Sequence, residues 1–170
     1  PAGRAVSGAA SWSFREDDAR RIQQLLGTFL ADSGARTAMI VDRAGQLVAT
    51  VGETPVFDAT VFATLTAADF SANDQLARML GEPEFGALFH QGERESMYLA
   101  DVARRVILVV LFDTRTTLGL VKLKVRGTVH ALTDAFNEMF AREQQEQRRP
   151  AVESGLVGDA EDEIDRLFGP

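Results

Sequence analysis

The stretch of sequence that decides the fold is VILVVLF, residues 106–112, an unbroken run of seven apolar residues. Such a run is typical of a strand that is buried on both faces and therefore lies near the middle of a sheet. The polar residues 113–116 (DTRT) follow it at once and end the strand. We therefore take this strand as the centre of the domain and place the other elements around it.

Four further strands are predicted from shorter apolar runs. TAMIVD (37–42) and LVATV (47–51) flank a four-residue loop that contains Gly45, which is the pattern of a β-hairpin. The segments 89–93 and 97–102 precede the central run, so that the last three strands form a meander. The sequence thus predicts strands in groups of two and three.

Three helices are predicted between and beside these strands. Ser13 and Glu16 form a capping box that begins a helix over residues 14–33. Asp58 is a suitable N-cap for a helix over residues 58–80, and apolar residues spaced three or four apart predict a third helix over residues 117–143. The order α-β-β-α-β-β-β-α predicts an α/β fold in which helices pack on one antiparallel sheet.

Both ends of the chain are predicted to lie outside this domain of residues 13–143. Residues 1–12 are interpreted as a disordered leader and residues 144–158 as a polar linker. Residues 159–168 form a short acidic segment in which Ile164, Leu167 and Phe168 stand at helical spacing. This tail is either a helix that docks in a groove of a partner or a solvated segment with three chance apolar residues.

The distribution of charge excludes several classes of partner. The chain has a net charge of −7, and residues 151–170 hold six acidic side chains and one arginine, so the remaining domain is nearly neutral. A neutral domain lacks the basic field that nucleic acid or an anionic lipid surface attracts. No apolar run approaches the roughly 18 residues of a membrane-spanning helix. We expect no nucleic-acid partner and no membrane insertion.

The residue types that catalysis requires are sparse. The chain has no cysteine, and neither His90 nor His130 has a second ligand at metal-binding spacing. Phosphate-binding glycine loops and nucleophile motifs are absent from the sequence. We predict no catalytic residue, no metal and no cofactor. Two groups of basic residues have a possible binding role, although ordinary solvated charge is the simpler interpretation of each. The candidates for a basic patch are Lys122, Lys124 and Arg126. The candidates for reaching a partner's phosphate are Arg43, Arg78, Arg94 and Arg115.

The predicted helix over residues 58–80 carries two different faces. Phe62, Leu65, Ala72, Leu76 and Leu80 share one face, which we expect to be buried. Asp69 falls on that face without an evident reason. The opposite face has small residues where long charged ones are usual, either by chance or because another protein approaches closely there. Its members are Thr60, Thr64, Ala67, Ser71, Gln75 and Arg78.

Several motifs resemble the roadblock family of small-GTPase regulators, and within it the MglB-type GTPase-activating proteins. They are FHQGER (89–94), MYL (97–99) and VILVVLFDTRTTLGLVKL (106–123), together with TAMIVDR (37–43) and LARMLGE (76–82). The tail sequence DEIDRLF (162–168) is similar to a C-terminal segment of some of these proteins. The resemblance implies a five-stranded sheet sandwiched between one long helix and two other helices.

The resemblance also implies a function. It implies a homodimer in the cytoplasm, with a cell pole as one location. The homodimer is expected to bind an MglA-like, Ras-like polarity GTPase and to stimulate its GTP hydrolysis without an arginine finger. Neither Arg78 nor Arg94 is therefore expected to act as one. Phe70 is inferred to contact the second protomer. The partner-binding residues implied are Thr64, Ala67, Ser71, Gln75 and Arg78 on the second helix, and Ile164, Leu167 and Phe168 in the tail, which is expected to dock on the GTPase away from its nucleotide.

Two alternatives remain open at this stage. The first is a roadblock scaffold that recruits a small GTPase or polarity protein without activating it. The second is a ligand-sensing domain of profilin-like or PAS-like layout, which shares the pattern of sheet and helices but requires a roomy pocket.

Overall fold

The computed structural model describes residues 14–169, without the side chains of residues 149–162 and 165. The predicted leader over residues 1–12 lies outside the described residues. Within them, the order of helices and strands is the predicted one. The elements are α1 (Glu16–Ser33), β1 (Thr37–Asp42), β2 (Leu47–Gly52), α2 (Ala59–Met79), β3 (Ala87–Gln91), β4 (Ser96–Val102), β5 (Val106–Phe112) and α3 (Leu118–Phe168).

The five strands form one sheet in the order β2-β1-β5-β4-β3, and every neighbouring pair is antiparallel. This confirms the prediction that residues 106–112 form the central strand, because β5 is third of five and six of its seven residues are buried. The edges are β2 and β3. The chain passes from one edge to the other through α2, which crosses the sheet.

The residues of β1 and β5 alternate between two buried faces. Met39 and Val41 of β1 and Val109 of β5 belong to the cluster that packs beneath α2. The residues between them are buried as well, and they face the side of the sheet on which α1 packs against β1 and β2. The Thr116 hydroxyl donates a 2.5 Å hydrogen bond to the carbonyl of Ser33, which ties the start of α3 to the end of α1. The sheet is therefore covered on both sides.

The two helix starts differ in how well they were predicted. Asp58 is the N-cap of α2, as predicted, and its Oδ1 accepts hydrogen bonds from the amides of Thr60 (2.9 Å) and Val61 (3.2 Å). Helix α1 begins at Glu16, two residues later than predicted, after Arg15, which makes no side-chain cap hydrogen bond. Ser13 of the predicted capping box lies outside the described residues. Three acidic residues in the first turn stabilise this later start through the helix dipole.

The third helix is much longer than predicted. It runs for 51 residues, so the backbone of the predicted linker over residues 144–158 is helical, and the predicted tail helix is its last part. Residues 144–149 are Gln, Glu and Arg, which are good helix formers that need no apolar face, and this favours continuation of the helix through the first part of the predicted linker. The chain divides into two compact units at residues 135 and 136, within this helix.

Candidate partner-binding surface

The buried face of α2 is not the one that the sequence pattern favoured. Small residues turn inwards, and the large aliphatic residues that we expected to be buried are exposed: Leu65 by 64%, Leu76 by 56% and Leu80 by 74%. A face of small side chains allows a helix to approach a sheet closely at normal packing density. The buried residues of α2 are Ala63, Thr66, Ala67, Phe70, Asn73 and Ala77.

The exposed aliphatic residues of α2 form a continuous band, which we call the aliphatic stripe. Residues spaced three and four apart lie next to one another on a helix surface. Leu65 and Leu76 are eleven residues apart, and the exposed Ala68 and Ala72 continue the band between them at that spacing. Exposed apolar patches of this kind mark interaction surfaces more often than single exposed residues do. The stripe comprises Val61, Leu65, Leu76, Met79 and Leu80.

A second exposed band of α2, the polar flank, consists of Thr64, Ser71, Gln75 and Arg78. These four residues of the predicted partner surface are accessible. The predicted outward orientation of Ala67 is wrong, because Ala67 is packed beneath the helix in the core cluster. The prediction that Phe70 contacts a second protomer is also wrong in its geometry, since Phe70 is 1% exposed.

Phe70 contacts an arginine that the sequence pattern did not mark as structural. The guanidinium carbon of Arg43 lies 4.8 Å from the centre of the Phe70 ring. Arg43 also donates to Asp74 of α2 at 2.7 Å and to Asp101 at the end of β4. This clamp joins the β1–β2 loop to α2 and β4. Arg43 is therefore engaged within the domain and is not available to reach a partner's phosphate.

The other flank of α2 lies beside the edge strand β3. Nε2 of His90 in β3 is 2.6 Å from Oδ2 of Asp69, a hydrogen-bonding distance. This pairing explains why an acidic residue stands on the apolar side of α2. Asp69 is one helical turn from Leu65, so the aliphatic stripe and the free edge of the sheet adjoin.

Five charged residues form a network at one end of the sheet. Arg36 donates to Glu53 at 2.7 Å and also pairs with Glu95, while Arg115 donates to Glu53 at 3.1 Å and to Asp113 at 3.0 Å. Hydrogen bonds from Arg36 and then Arg115 lower the pKa of Glu53, and those from Arg115 lower the pKa of Asp113. Arg115, like Arg43, is thus occupied within the domain.

These lowered pKa values predict how stability depends on pH. The network stabilises the fold fully above the ordinary pKa range of carboxyl groups, near 4, and this contribution is lost as the pH falls through the lowered folded values. We expect the urea midpoint to fall between pH 6 and pH 3, and to fall less in Arg115→Gln, which lacks the cation beside both Glu53 and Asp113. Arg20→Gln, which removes an exposed pair with Glu16, is the matched control. An identical fall in wild type and Arg115→Gln would contradict this assignment.

The predicted basic patch on α3 is not a single surface. Lys124 lines a groove of about 510 Å³ between α1 and α3, together with Leu25, Phe29 and Gly127. Lys122 and Arg126 are four residues apart and share a different face of the helix.

Metal-binding clusters and membrane-spanning helices are absent from the described residues. Within the described side chains, no three His, Cys, Asp or Glu residues lie close enough together to hold a metal ion. None of the helices in the part of the chain that is described has the length and apolar character needed to cross a membrane.

In the second unit, Ile164, Leu167 and Phe168 of the tail are 55%, 72% and 83% exposed.

Comparison with known proteins decides the family. The sequence matches the Roadblock/LC7 domain over residues 21–112, which is more than half of the chain. The chain belongs to the Roadblock/LC7 family. The matched residues extend from α1 to the end of β5 and include both the aliphatic stripe and the polar flank. A search of curated proteins gives no match.

Solved structures agree with this assignment and narrow it. Myxococcus xanthus MglB is 37% identical, with 75% of this chain and 96% of that one covered and a TM-score of 0.70. The gliding protein MglB of Thermus thermophilus is 31% identical, with 77% and 99% covered and a TM-score of 0.71. A Roadblock/LC7 domain from Streptomyces avermitilis shares the fold at 12% identity, with 67% and 96% covered and a TM-score of 0.61. The roadblock domain described here is thus similar to MglB proteins over nearly their whole length.

Proposed function

We propose that this roadblock protein is a homodimer that binds an MglA-like, Ras-like GTPase and stimulates its GTP hydrolysis. The observation that carries the proposal is the exposed aliphatic stripe of α2 beside the free edge of β3. The similarity to two MglB proteins at 31% and 37% identity supports the choice of partner.

The stripe and the sheet edge support dimerisation. Two copies related by a twofold axis cover both stripes at once, because such an interface uses the same surface twice. The unpaired backbone groups of β3 pair with those of the second β3 in the same arrangement, which removes an exposed edge. Dimerisation therefore uses Leu65 and Leu76, and not the buried Phe70, on α2.

The polar flank is the proposed partner face, because it stays open when the stripe is covered. The short side chains of Thr64 and Ser71 allow another backbone to approach closely. Arg78 is the only cation among its four residues and lies near the end of α2, where it is needed to recognise the partner's surface and does not serve as an arginine finger.

A bulky substitution tests the partner face. Ser71→Arg places a long side chain on the polar flank, and we expect it to weaken binding of the GTP-loaded GTPase at least about tenfold, which is about 1.4 kcal/mol. Dimer mass and thermal midpoint should stay unchanged, because Ser71 is exposed. The matched control is Gln24→Arg on the exposed surface of α1. Equal binding by wild type, Ser71→Arg and Gln24→Arg would remove the polar flank from the proposal.

The tail is the proposed second contact. Deleting residues 150–170 removes the exposed Ile164, Leu167 and Phe168, and we expect weaker or altered GTPase binding with an intact dimer. The variant Ile164→Ser/Leu167→Ser/Phe168→Ser keeps the length and acidity of the tail and should reproduce the deletion. Isothermal titration measures both. Unchanged binding in both variants would show that the tail has no part in the complex.

The second candidate function is a scaffold that binds the GTPase without activating it. It is favoured by Gln75, whose longer side chain is exposed on the polar flank and holds a partner further from α2 than a small residue does. GTP turnover separates the two functions, because a scaffold binds the GTPase and leaves its rate unchanged.

A further inference from the structure

An open pocket of about 360 Å³ adjoins the polar flank near the end of α2. Four parts of the chain meet there: α2, the β1–β2 loop, the loop that precedes β3 and the turn between β4 and β5. We call it the arginine socket and define it by four lining residues, Ser71, Arg78, Glu84 and Arg104.

The three arginines that line the pocket differ in their partners. Arg43 and Asp74 also line the pocket, but they pair with each other at 2.7 Å. Arg78 has no ion pair or hydrogen bond to any of the described residues. Nε of Arg104 lies 3.7 Å from Glu84, which is too far for a hydrogen bond. Arg104 and Glu84 are within ion-pair distance, and Arg43 is shared between Asp74 and Asp101. Arg78 is therefore the guanidinium of the socket that lacks a carboxylate partner among the described residues.

The fold holds Arg104 in this position. Ala103 and Arg104 have φ values of 55° and 57°, a conformation that residues with side chains rarely adopt. The amide of Arg105 donates to the carbonyl of Val102 at 3.1 Å and closes a two-residue turn of the type that requires positive φ at both positions. The amide of Arg104 donates to Oδ2 of Asp101 at 3.0 Å. Asp101, which also pairs with Arg43, thus fixes the turn that presents Arg104.

We propose that the arginine socket binds a carboxylate side chain, Asp or Glu, on the surface of the GTPase, an inference that rests on the proposed function. A planar guanidinium matches a carboxylate with two parallel hydrogen bonds, and the socket supplies two guanidinium groups. A partner's ammonium group is repelled by Arg78, and the carboxylates around the socket already have arginine partners: Glu84 pairs with Arg104, and Asp74 and Asp101 pair with Arg43.

The socket is continuous with the proposed partner face. Ser71 and Arg78 belong both to the polar flank and to the pocket, so a GTPase seated on the flank covers the socket. An ion pair at this position sets the register and the rate of docking more than it sets the chemistry of hydrolysis.

Reversing both charges tests the socket. For Arg78→Glu/Arg104→Glu, we expect the Kd for the GTP-loaded GTPase at 50 mM salt to rise at least about 30-fold and its salt dependence to weaken strongly. The matched control is Arg20→Glu/Arg21→Glu, which makes the same charge change at two exposed arginines of α1, outside the socket, and should stay within about threefold of wild type. Dimer mass and thermal midpoint report on folding. Arg78→Gln/Arg104→Gln replaces the reversal if that variant does not fold, and should raise Kd about tenfold.

The outcomes separate the two proposals. Wild-type protein that binds no GTPase would overturn the proposed function, and the socket with it. If the wild-type protein binds the GTPase and the socket and control variants change the Kd by the same factor, the inference about the socket is overturned and the proposed function stands. Selective loss in the socket variant supports the inference.

Discussion

Replacing Leu65 and Leu76 with glutamate is expected to convert the dimer into a monomer. Both side chains are more than half exposed in the single chain and are buried only if a second copy covers the aliphatic stripe. Burial of a leucine is worth about 2 kcal/mol, and the twofold axis doubles each loss. We therefore expect the dimer Kd to rise at least about 1000-fold, which light scattering after size exclusion reports as a halved mass.

The control variant is Thr64→Glu/Gln75→Glu. Each control residue precedes a stripe residue in the sequence, so the added charge is the same, but it lies on the polar flank. This variant should remain dimeric. Equal masses for the stripe variant, the control and wild type would remove the stripe from the interface. Circular dichroism should show an unchanged fold in both variants, because all four positions are exposed.

The substitution Phe70→Ala is expected to lower the free energy of unfolding by about 3–5 kcal/mol, the largest loss among these variants. The ring is fully enclosed between α2 and the sheet, and its removal leaves a cavity beneath the guanidinium of Arg43. Arg43→Ala should cost about 2–3 kcal/mol, because it leaves Asp74 and Asp101 without their cation. Urea denaturation of both single variants and the double variant measures these costs and the coupling between them.

The control for Arg43→Ala is Arg20→Ala, because Arg20 forms an ion pair with Glu16 on α1 that is well exposed. Arg20→Ala should cost no more than about 0.5 kcal/mol. If Arg43→Ala and Arg20→Ala cost the same, the clamp contributes nothing beyond ordinary surface charge. If Phe70→Ala leaves stability unchanged and instead disrupts the dimer, Phe70 is an interface residue after all.

The sheet could be predicted from the sequence because its signals are local. The run at residues 106–112 is apolar at every position, and only a strand covered on both faces accommodates that pattern. The hairpin and the N-cap at Asp58 likewise depend on neighbouring residues alone. Each of these predictions holds in the structure.

The orientation of α2 could not be predicted in the same way. The helix carries two apolar faces, one of large residues around Leu65 and Leu76 and one of small residues around Ala63 and Phe70. Hydrophobic periodicity favours burial of the face with the large residues. The short distance between helix and sheet instead requires the face with the small residues to be buried. The proposed dimer gives the large residues a second use, and a single sequence does not show that use.

Several residues of the site were not predicted because they pair with side chains that are far away in the sequence. Asp69 pairs with His90, and Arg43 with Asp101, across 21 and 58 positions. No local pattern connects such residues, although an unexplained acid on an apolar face was a signal that a partner exists. The length of α3 was missed for a different reason, because polarity in residues 144–149 was interpreted as a linker when helix propensity favoured continuation.

We propose that the homodimer accelerates GTP hydrolysis by its partner. Single-turnover hydrolysis by an MglA-like GTPase from the same genome, with and without saturating full-length protein, tests this activity. We expect an increase in rate of at least about tenfold, equivalent to about 1.4 kcal/mol, and no increase with Leu65→Glu/Leu76→Glu. A rate that stays at the level of the GTPase alone, while the two proteins bind, would contradict activation and leave a scaffold.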